Sequence, residues 1–349
     1  MSFFYEKAIR PILFTQDPEK AHHIAIDLLK TLSRFPILPR ILESFNLVKN
    51  DQPLKLFGLN FPNPVGLAAG MDKNAQFTQV MAALGFGFTE IGTVTHQAQP
   101  GNSKPRLFRY PKHNALINRM GFNNHGAEII RNRLQAIPRK NRRVPIGINI
   151  GKSKVVSLKD AFEDYLGSFR LLADQADYFT INVSSPNTPS LRELQEKERL
   201  EELLQRIQSA NKERAQKLGC KMIPILLKIA PDLSYQQIDE IVEIVIEEKV
   251  SGLIATNTTI ERPKSLKDAE TGGLSGTPLH EKSLEVVKYI SRRTNQKLPI
   301  IGTGGIDDPT TAARFLDEGA SLVQLYSGLV YRGPFVAKII ARGLKNRVI

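Results

Sequence analysis

Asparagine and lysine residues stand at the ends of several short apolar segments of this chain. Asn149, Asn182 and Asn257 stand at or just after the ends of three such segments, and Lys228 ends a fourth. Each of them alone is equally well explained as a turn former or a helix cap. At the ends of neighbouring parallel strands they would meet, and amides offer the donor and acceptor that a planar heterocycle requires. The set therefore predicts a binding site for a flat polar ring.

Glycine pairs and lysines near the same predicted edge indicate an anionic ligand. Gly304-Gly305 and Ser327-Gly328 follow the last two apolar segments, where (β/α)8 barrels commonly hold a phosphate on backbone N–H groups. Lys73 and Lys228 can face a negative ligand there, although each alone can equally be half of a structural ion pair. A phosphorylated ring system such as FMN fits both features.

An alternation of apolar segments and helical patterns begins near residue 60 and must position these residues. Near-continuous apolar segments are typical of parallel strands buried on both faces. Eight of them alternate with eight helical patterns, which predicts an α/β fold of the closed (β/α)8, or TIM-barrel, type. A doubly wound sheet is the alternative, but no early GxGxxG supports it. The predicted strands are Val65–Ala69, Phe86–Val94, Val144–Ile150, Tyr178–Val183, Ile223–Ile229, Gly252–Thr256, Pro299–Gly302 and Ser321–Tyr326. The predicted helices are Asn74–Leu84, Asn124–Gln135, Asp160–Gln175, Lys197–Leu218, Ser234–Glu248, Glu281–Thr294, Pro309–Glu318 and Phe335–Lys345.

Three long loops follow the second, fourth and sixth predicted strands, at residues 95–123, 184–196 and 257–280. They lie at the end of the barrel where active sites are built. Long ordered loops in a compact domain are usually functional, so we expect these loops to complete the site.

Residues 1–45 differ from the barrel at 46–349 and predict a small N-terminal helical hairpin. Asp17-Pro18-Glu19 is typical of a helix start, with Asp as N-cap and Pro in the first helical position. Apolar side chains from Ala21 to Phe35 then recur at helical spacing. Such helices can simply pack on the barrel, or they can lie in a membrane interface with basic side chains near lipid phosphates.

Composition excludes some chemistry and leaves other partners open. The single cysteine among 349 residues, Cys220, cannot form an internal disulfide, an iron–sulfur site or a thiolate zinc site. We expect no metal. A net charge of +13 suits an anionic membrane, nucleic acid or small acidic ligands. No run of eighteen apolar residues predicts a membrane span, and no secretory or transit signal is expected.

Five longer motifs carry a specific resemblance. From about residue 50 to the C-terminus the chain resembles the dihydroorotate dehydrogenase family, and the N-terminal Asp-Pro-Glu and Ala-His resemble the extension of its quinone-using class. The motifs are Asn-Val-Ser-Ser-Pro-Asn-Thr-Pro (182–189), Asn-Arg-Met-Gly-Phe-Asn-Asn (118–124), Ala-Thr-Asn-Thr-Thr (255–259), Gly-Gly-Leu-Ser-Gly (272–276) and Ile-Gly-Thr-Gly-Gly-Ile (301–306).

The resemblance implies an activity and a set of site residues. It implies oxidation of (S)-dihydroorotate to orotate with FMN, a step of pyrimidine biosynthesis, and transfer of the electrons to a membrane quinone. Ser185, which directly precedes Pro-Asn-Thr, is the implied base where soluble classes carry cysteine; Ser184 is less favoured, and Ser190 stands where glycine is common. The implied substrate-binding residues are Lys73, Asn118, Arg119, Met120, Gly121, Phe122, Asn182, Asn187, Asn257 and Thr258. The implied FMN-binding residues are Ala69, Gly70, Met71, Asp72, Lys73, Thr93, Asn149, Asn182, Lys228, Thr256, Gly276, Gly305, Tyr326 and Ser327.

The same resemblance implies a peripheral membrane protein attached through residues 1–40, and the lack of a transit segment favours the cytoplasmic face of a bacterial membrane. We expect neither nucleic acid nor an iron–sulfur protein as partner. Three alternatives remain at this stage. A soluble dihydroorotate dehydrogenase using fumarate or a nicotinamide is disfavoured by Ser185 and the hairpin. A flavin barrel that reduces transfer-RNA uridines would suit the charge, but it needs an RNA-binding region and a catalytic cysteine. A non-enzymatic membrane-binding protein would leave the polar strand ends unexplained.

Overall fold

The predicted strands form a closed parallel barrel in a computed structural model, which describes residues 2–35, 37–50 and 54–345. Strands that follow one another along the chain are neighbours around the barrel, and the eighth pairs with the first. Each predicted strand is confirmed to within two residues at either end. In chain order the strands are Val65–Leu67, Phe88–Val94, Ile146–Ile150, Tyr178–Asn182, Ile225–Ile229, Gly252–Ala255, Ile300–Thr303 and Leu322–Leu325.

Helices cover the barrel, and most of them start and end close to the predicted bounds. The exception is the first, where only Val80–Ala83 is helical and the predicted start at Asn74 is wrong. The Asp72 carboxylate accepts hydrogen bonds from the backbone N–H groups of Gln76 (2.8 Å) and Phe77 (3.1 Å), which holds the chain in a loop there. The other helices are Ala127–Gln135, Ala161–Leu172, Lys197–Leu218, Tyr235–Glu247, His280–Arg293, Pro309–Asp317, Ser327–Arg332 and Val336–Leu344.

Additional strands lie at both ends of the barrel. The antiparallel hairpin Leu54–Leu56 and Leu59–Phe61 packs Phe61 against the ring of Phe88, near the N-terminal ends of the barrel strands. At the opposite end, two of the long loops pair into a three-stranded sheet that the sequence did not predict. Its strands are Leu107–Tyr110, Ala115–Asn118 and Gly273–Gly276.

The N-terminal helices lie against the outside of the barrel. Asp17 caps the longest of them as predicted, since its Oδ1 accepts from the N–H groups of Glu19 (2.9 Å) and Lys20 (3.0 Å). A further helix, Leu38–Asn46, was not predicted; Asn46 Nδ2 donates to the carbonyl of Ala83 (2.9 Å) and fixes it on the barrel. Over the described ranges, every helix is too short or too polar to cross a bilayer. The N-terminal elements are Ser2–Phe4, the π-helical Tyr5–Ile9, Arg10–Thr15, Pro18–Ser33 and Leu38–Asn46.

Candidate active site

A cavity opens at the C-terminal ends of the barrel strands, and most of the predicted site residues line it. They come from separate strands and from the long loops, as a barrel mouth requires. The cavity is also lined by residues that were not predicted, among them Gln324, Thr303 and Ser275. The predicted residues in its wall are Ala69, Gly70, Lys73, Thr93, Asn118, Met120, Gly121, Phe122, Asn182, Ser185, Asn187, Lys228, Thr256, Asn257, Thr258, Gly305, Tyr326 and Ser327.

A buried amide network supports one side of the cavity. Asn149 Oδ1 accepts from Thr93 Oγ1 (2.6 Å) and from Asn182 Nδ2 (3.1 Å). Asn149 itself lies behind the cavity wall, where its Nδ2 donates to Glu90 Oε1 (2.9 Å). Because buried polar groups keep their orientation only when their hydrogen bonds are satisfied, the network fixes which groups Thr93 and Asn182 present to a ligand.

Glu90 is the centre of this network and was missed. It is fully buried in the second strand and accepts from Thr180 Oγ1 (2.8 Å) and Gln324 Nε2 (3.2 Å). A carboxylate inside an otherwise apolar strand is a signal that the sequence does contain, since an acid is almost never fully buried without a partner. It lies beneath the cavity and positions the amides, so its own role is indirect.

Two lysines, Lys228 buried and Lys73 partly buried, bring positive charge to the cavity. The Lys228 ammonium makes no hydrogen bond to any residue in the described ranges, and its nearest carboxylate oxygen belongs to Glu90 at 3.9 Å. Burial lowers the pKa of Lys228, and Glu90 offsets that effect only in part. Lys73 Nζ donates to the carbonyl of Gly70 (2.6 Å), and burial together with the nearby Arg106 lowers the pKa of Lys73 to about 8. Both ammonium groups are thus able to gain from an anionic ligand.

Ser184 and Ser185, in the loop that follows the fourth strand, have different surroundings. Ser184 Oγ donates to Asn182 Oδ1 (3.1 Å) and accepts from Asn257 Nδ2 (3.0 Å), so its hydroxyl belongs to the amide network. Ser185 faces the cavity, and its Oγ accepts only a long hydrogen bond from the N–H of Asn187 (3.3 Å). Nearby, the buried Thr188 Oγ1 has no hydrogen-bond partner in the part of the chain that the structure describes. Of the two, Ser185 is therefore the serine that lines the cavity.

Backbone glycines form a cradle where the seventh and eighth strands end. Gly305 has φ +63°, and a Cβ there would lie 2.8 Å from the carbonyl oxygen of Gly276. A Cβ on Gly328 would lie 2.4 Å from the carbonyl oxygen of Ile306. Only glycine fits these close approaches, and bare N–H groups of this kind suit a phosphate.

Four further predicted site residues, like Asn149, lie outside the cavity wall. Arg119 points away and pairs with Glu270 (2.8 Å). Met71 is packed in the hydrophobic core, and Asp72 holds the loop that follows it. Gly276 lies at the end of its strand, where a Cβ would meet a backbone carbonyl at 2.1 Å.

Fold and site together define a (β/α)8-barrel protein whose C-terminal cavity is lined by amide and lysine side chains, by glycines of close backbone approach and by Ser185. The family model described as dihydroorotate dehydrogenase matches residues 53–348. The chain belongs to the dihydroorotate dehydrogenase family.

Curated relatives and solved structures agree with this assignment. A protein of Christiangramia forsetii named dihydroorotate dehydrogenase (quinone) is 49% identical over 339 residues, covering 96% of this chain and 97% of its own. One of the same name from Chloroflexus aurantiacus is 48% identical and covers 98% and 96%. The crystal structure of the Eimeria tenella dihydroorotate dehydrogenase in complex with ferulenol superposes with a TM-score of 0.85 at 37% identity, covering 94% of this chain and 90% of that one.

Proposed function

We propose that this protein is a quinone-dependent dihydroorotate dehydrogenase that oxidises (S)-dihydroorotate to orotate. Family membership and full-length relatives of that name support the activity. The observation that carries the proposal is the convergence of Asn182, Lys228 and Thr256, from three strands, on one cavity that also exposes Ser185.

The family is flavin-dependent, and we infer that the flavin is FMN. The glycine cradle at Gly305 and the neighbouring Ser327 suit a single phosphate, while Thr93 and Asn182, which hydrogen-bond to each other (3.0 Å), line the same cavity and would lie against the ring. The ammonium of Lys228, whose nearest carboxylate oxygen is 3.9 Å away on Glu90, would stabilise negative charge on the ring. Held by these residues, the flavin would supply the capacity to take up a hydride from the substrate and to pass its electrons to the quinone.

In this proposal the chain's own side chains bind the substrate and move one proton. Lys73 holds the substrate carboxylate, and Asn118, Asn187, Asn257 and Thr258 hold the amides of its ring. Ser185 Oγ takes the proton from substrate C5 and must pass its own proton on. The buried, unpartnered Thr188 Oγ1 supports a route for that proton through a water molecule. Phe122 lines the cavity and shields it from solvent.

We infer that residues 1–45 are a membrane and quinone-access segment, separate in function from the barrel at 46–349. A quinone with a long apolar tail dissolves in the bilayer, so its site should open toward lipid. Exposed large apolar side chains on these helices support peripheral attachment, for which we propose the cytoplasmic face of a bacterial membrane. They include Phe3, Phe4, Ile12, Leu28, Phe35, Ile37, Ile41 and Phe45.

Anaerobic bleaching of the flavin by dihydroorotate tests both the activity and the base. Ser185→Ala should retain flavin but slow bleaching by about 1000-fold, since general base catalysis contributes roughly 100- to 10000-fold. Ser184→Ala is the matched control and should slow it far less. A protein that dihydroorotate does not bleach contradicts the activity, and rapid bleaching of Ser185→Ala contradicts only the base.

A further inference from the structure

One arginine joins three loops at the rim of the cavity. Arg192 Nε donates to the carbonyl of Ser184 (3.1 Å), and its Nη2 donates to the carbonyl of Thr258 (3.2 Å). Its Nη1 donates to Asp232 Oδ2 (3.0 Å). Because the five N–H donors of a guanidinium lie in one plane with fixed directions, all three acceptors are held in a defined arrangement.

Asp232 is itself firmly held, so it anchors the arginine. It accepts from Thr259 Oγ1, from the N–H of Ile260 (3.1 Å) and from Lys282 Nζ (2.9 Å). Burial alone would raise the pKa of Asp232, but the hydrogen bonds from Thr259 and Lys282 lower it below its usual value. The carboxylate therefore stays charged at neutral pH, and the Arg192–Asp232 pair, largely buried, persists.

The two carbonyls that Arg192 holds belong to residues next to, or within, the substrate site. Ser184 directly precedes Ser185, and Thr258 follows Asn257, whose Nδ2 donates to Ser184 Oγ (3.0 Å). Asn187, in the same loop as Ser184, is held by a different contact, since Asn102 Nδ2 donates to its carbonyl (3.1 Å). Arg192 thus joins the backbone of the loop that carries Ser185 to the backbone of the loop that carries Thr258, beside the side-chain hydrogen bond between Asn257 and Ser184.

We propose that Arg192 is a positioning residue that sets the separation between Ser185 and the substrate bound at Thr258. This rests on the proposed function, in which Ser185 removes a proton from the substrate. A base displaced by about 1 Å loses on the order of 100-fold in rate, so the arginine needs no contact with the substrate to matter.

The two half-reactions of the flavin-loaded, full-length protein separate positioning from general damage. Arg192→Ala should slow anaerobic bleaching by dihydroorotate about 100-fold, and reoxidation of the reduced protein by quinone should stay unchanged because it does not use Ser185. Arg192→Lys cannot reach all three acceptors and should fall between. Arg206→Ala, which removes exposed ion pairs with Glu202 and Glu163, is the matched control and should change neither rate. Equal slowing of both half-reactions overturns the proposal.

A double-mutant cycle asks whether Arg192 acts through Ser185. If it does, Arg192→Ala should add little to the slowing already caused by Ser185→Ala. Full additivity overturns the positioning role, whereas rapid bleaching of Ser185→Ala alone identifies the base assignment as the error. If Arg192→Ala does not fold or does not hold flavin, Arg192→Lys and Asp232→Asn are placed in the same cycle and decide by the same criterion.

Discussion

Folded proteins usually bury apolar side chains and expose polar ones. The barrel mouth and the N-terminal helices depart from this pattern in opposite ways. In the mouth, Asn149 and Glu90 are polar and 0% exposed. On the helices, Phe3 and Phe45 are apolar and 75% and 70% exposed. Burying polar groups and exposing large apolar ones both cost stability unless something compensates. The mouth compensates with its own hydrogen bonds, whereas the exposed side chains of the helices would gain from the membrane contact proposed for them.

The two regions meet at buried charged contacts. Glu19 on the Pro18–Ser33 helix pairs with Arg106 of the barrel at 2.8 Å, and both side chains are buried. Lys73 lies 3.5 Å from His22 of the same helix while it also lines the substrate cavity. The helices are thus attached beside the site, which suits delivery of an acceptor from the membrane.

Deletion of residues 1–40 should have the largest effect of the changes predicted for the two regions. It should abolish quinone reduction and vesicle binding, because the apolar surface and the acceptor route leave together. Bleaching of the flavin by dihydroorotate should remain, since Arg106 keeps its hydrogen bonds to the carbonyls of Pro100 (2.7 Å) and Asn102 (2.8 Å). Stopped-flow absorbance and vesicle sedimentation measure the two outcomes.

Full-length Glu19→Gln is the control for this truncation. It weakens the contact with Arg106 but keeps the apolar surface, so it should reduce quinone turnover only in part and leave vesicle binding intact. A truncated protein that still reduces quinone at the full-length rate would contradict the division into two functional regions.

The strand pattern was predictable because burial on both faces favours apolar residues at most strand positions. The polar strand ends were predictable for the related reason that Asn182 and Lys228 have no place in an apolar layer without a ligand. The helix start at Asn74 failed because the side chain of Asp72 offers local N–H groups a competing acceptor. Glu90 was missed because a single acid in a strand does not reveal which distant amides it will meet.

Lys73, at the boundary of the two regions, should make ligand binding depend on pH. Its pKa of about 8 means that it is cationic below that pH and neutral above it. Orotate, whose carboxylate the cation is proposed to hold, should therefore bind with constant affinity below about pH 8 and weaken up to about tenfold per pH unit above it. Lys73→Arg keeps its charge and should lose the inflection. Flavin absorbance titrations give the affinities, and a flat profile to about pH 9.5 would contradict the role.

A substitution at Phe45 tests whether the exposed apolar side chains of the N-terminal helices contact a membrane. Leu38, Ile41 and Phe45 share one face of their helix, and Arg40 beside them is exposed. Phe45→Asp should weaken binding to anionic vesicles by about tenfold or more, since burying a phenylalanine contributes roughly 1.5–3 kcal/mol. Ile246→Asp, which changes an apolar residue that is 58% exposed on a barrel helix, should have no such effect. Equal loss in both variants would mean that charge alone explains the result.

The smallest expected effect concerns the backbone of the loop that carries Ser185. Ser190 has φ +55°, a left-handed conformation that costs a non-glycine residue about 1 kcal/mol or more. Glycine removes that strain but gives the unfolded chain more freedom, which costs about 0.5–1 kcal/mol. Ser190→Gly should therefore stabilise the protein by less than about 1 kcal/mol in urea unfolding and leave bleaching by dihydroorotate unchanged. Ser265→Gly, at a position without positive φ, gains no relief of strain and should destabilise, so a matching loss in both variants would mean that the turn at Ser190 stores no strain.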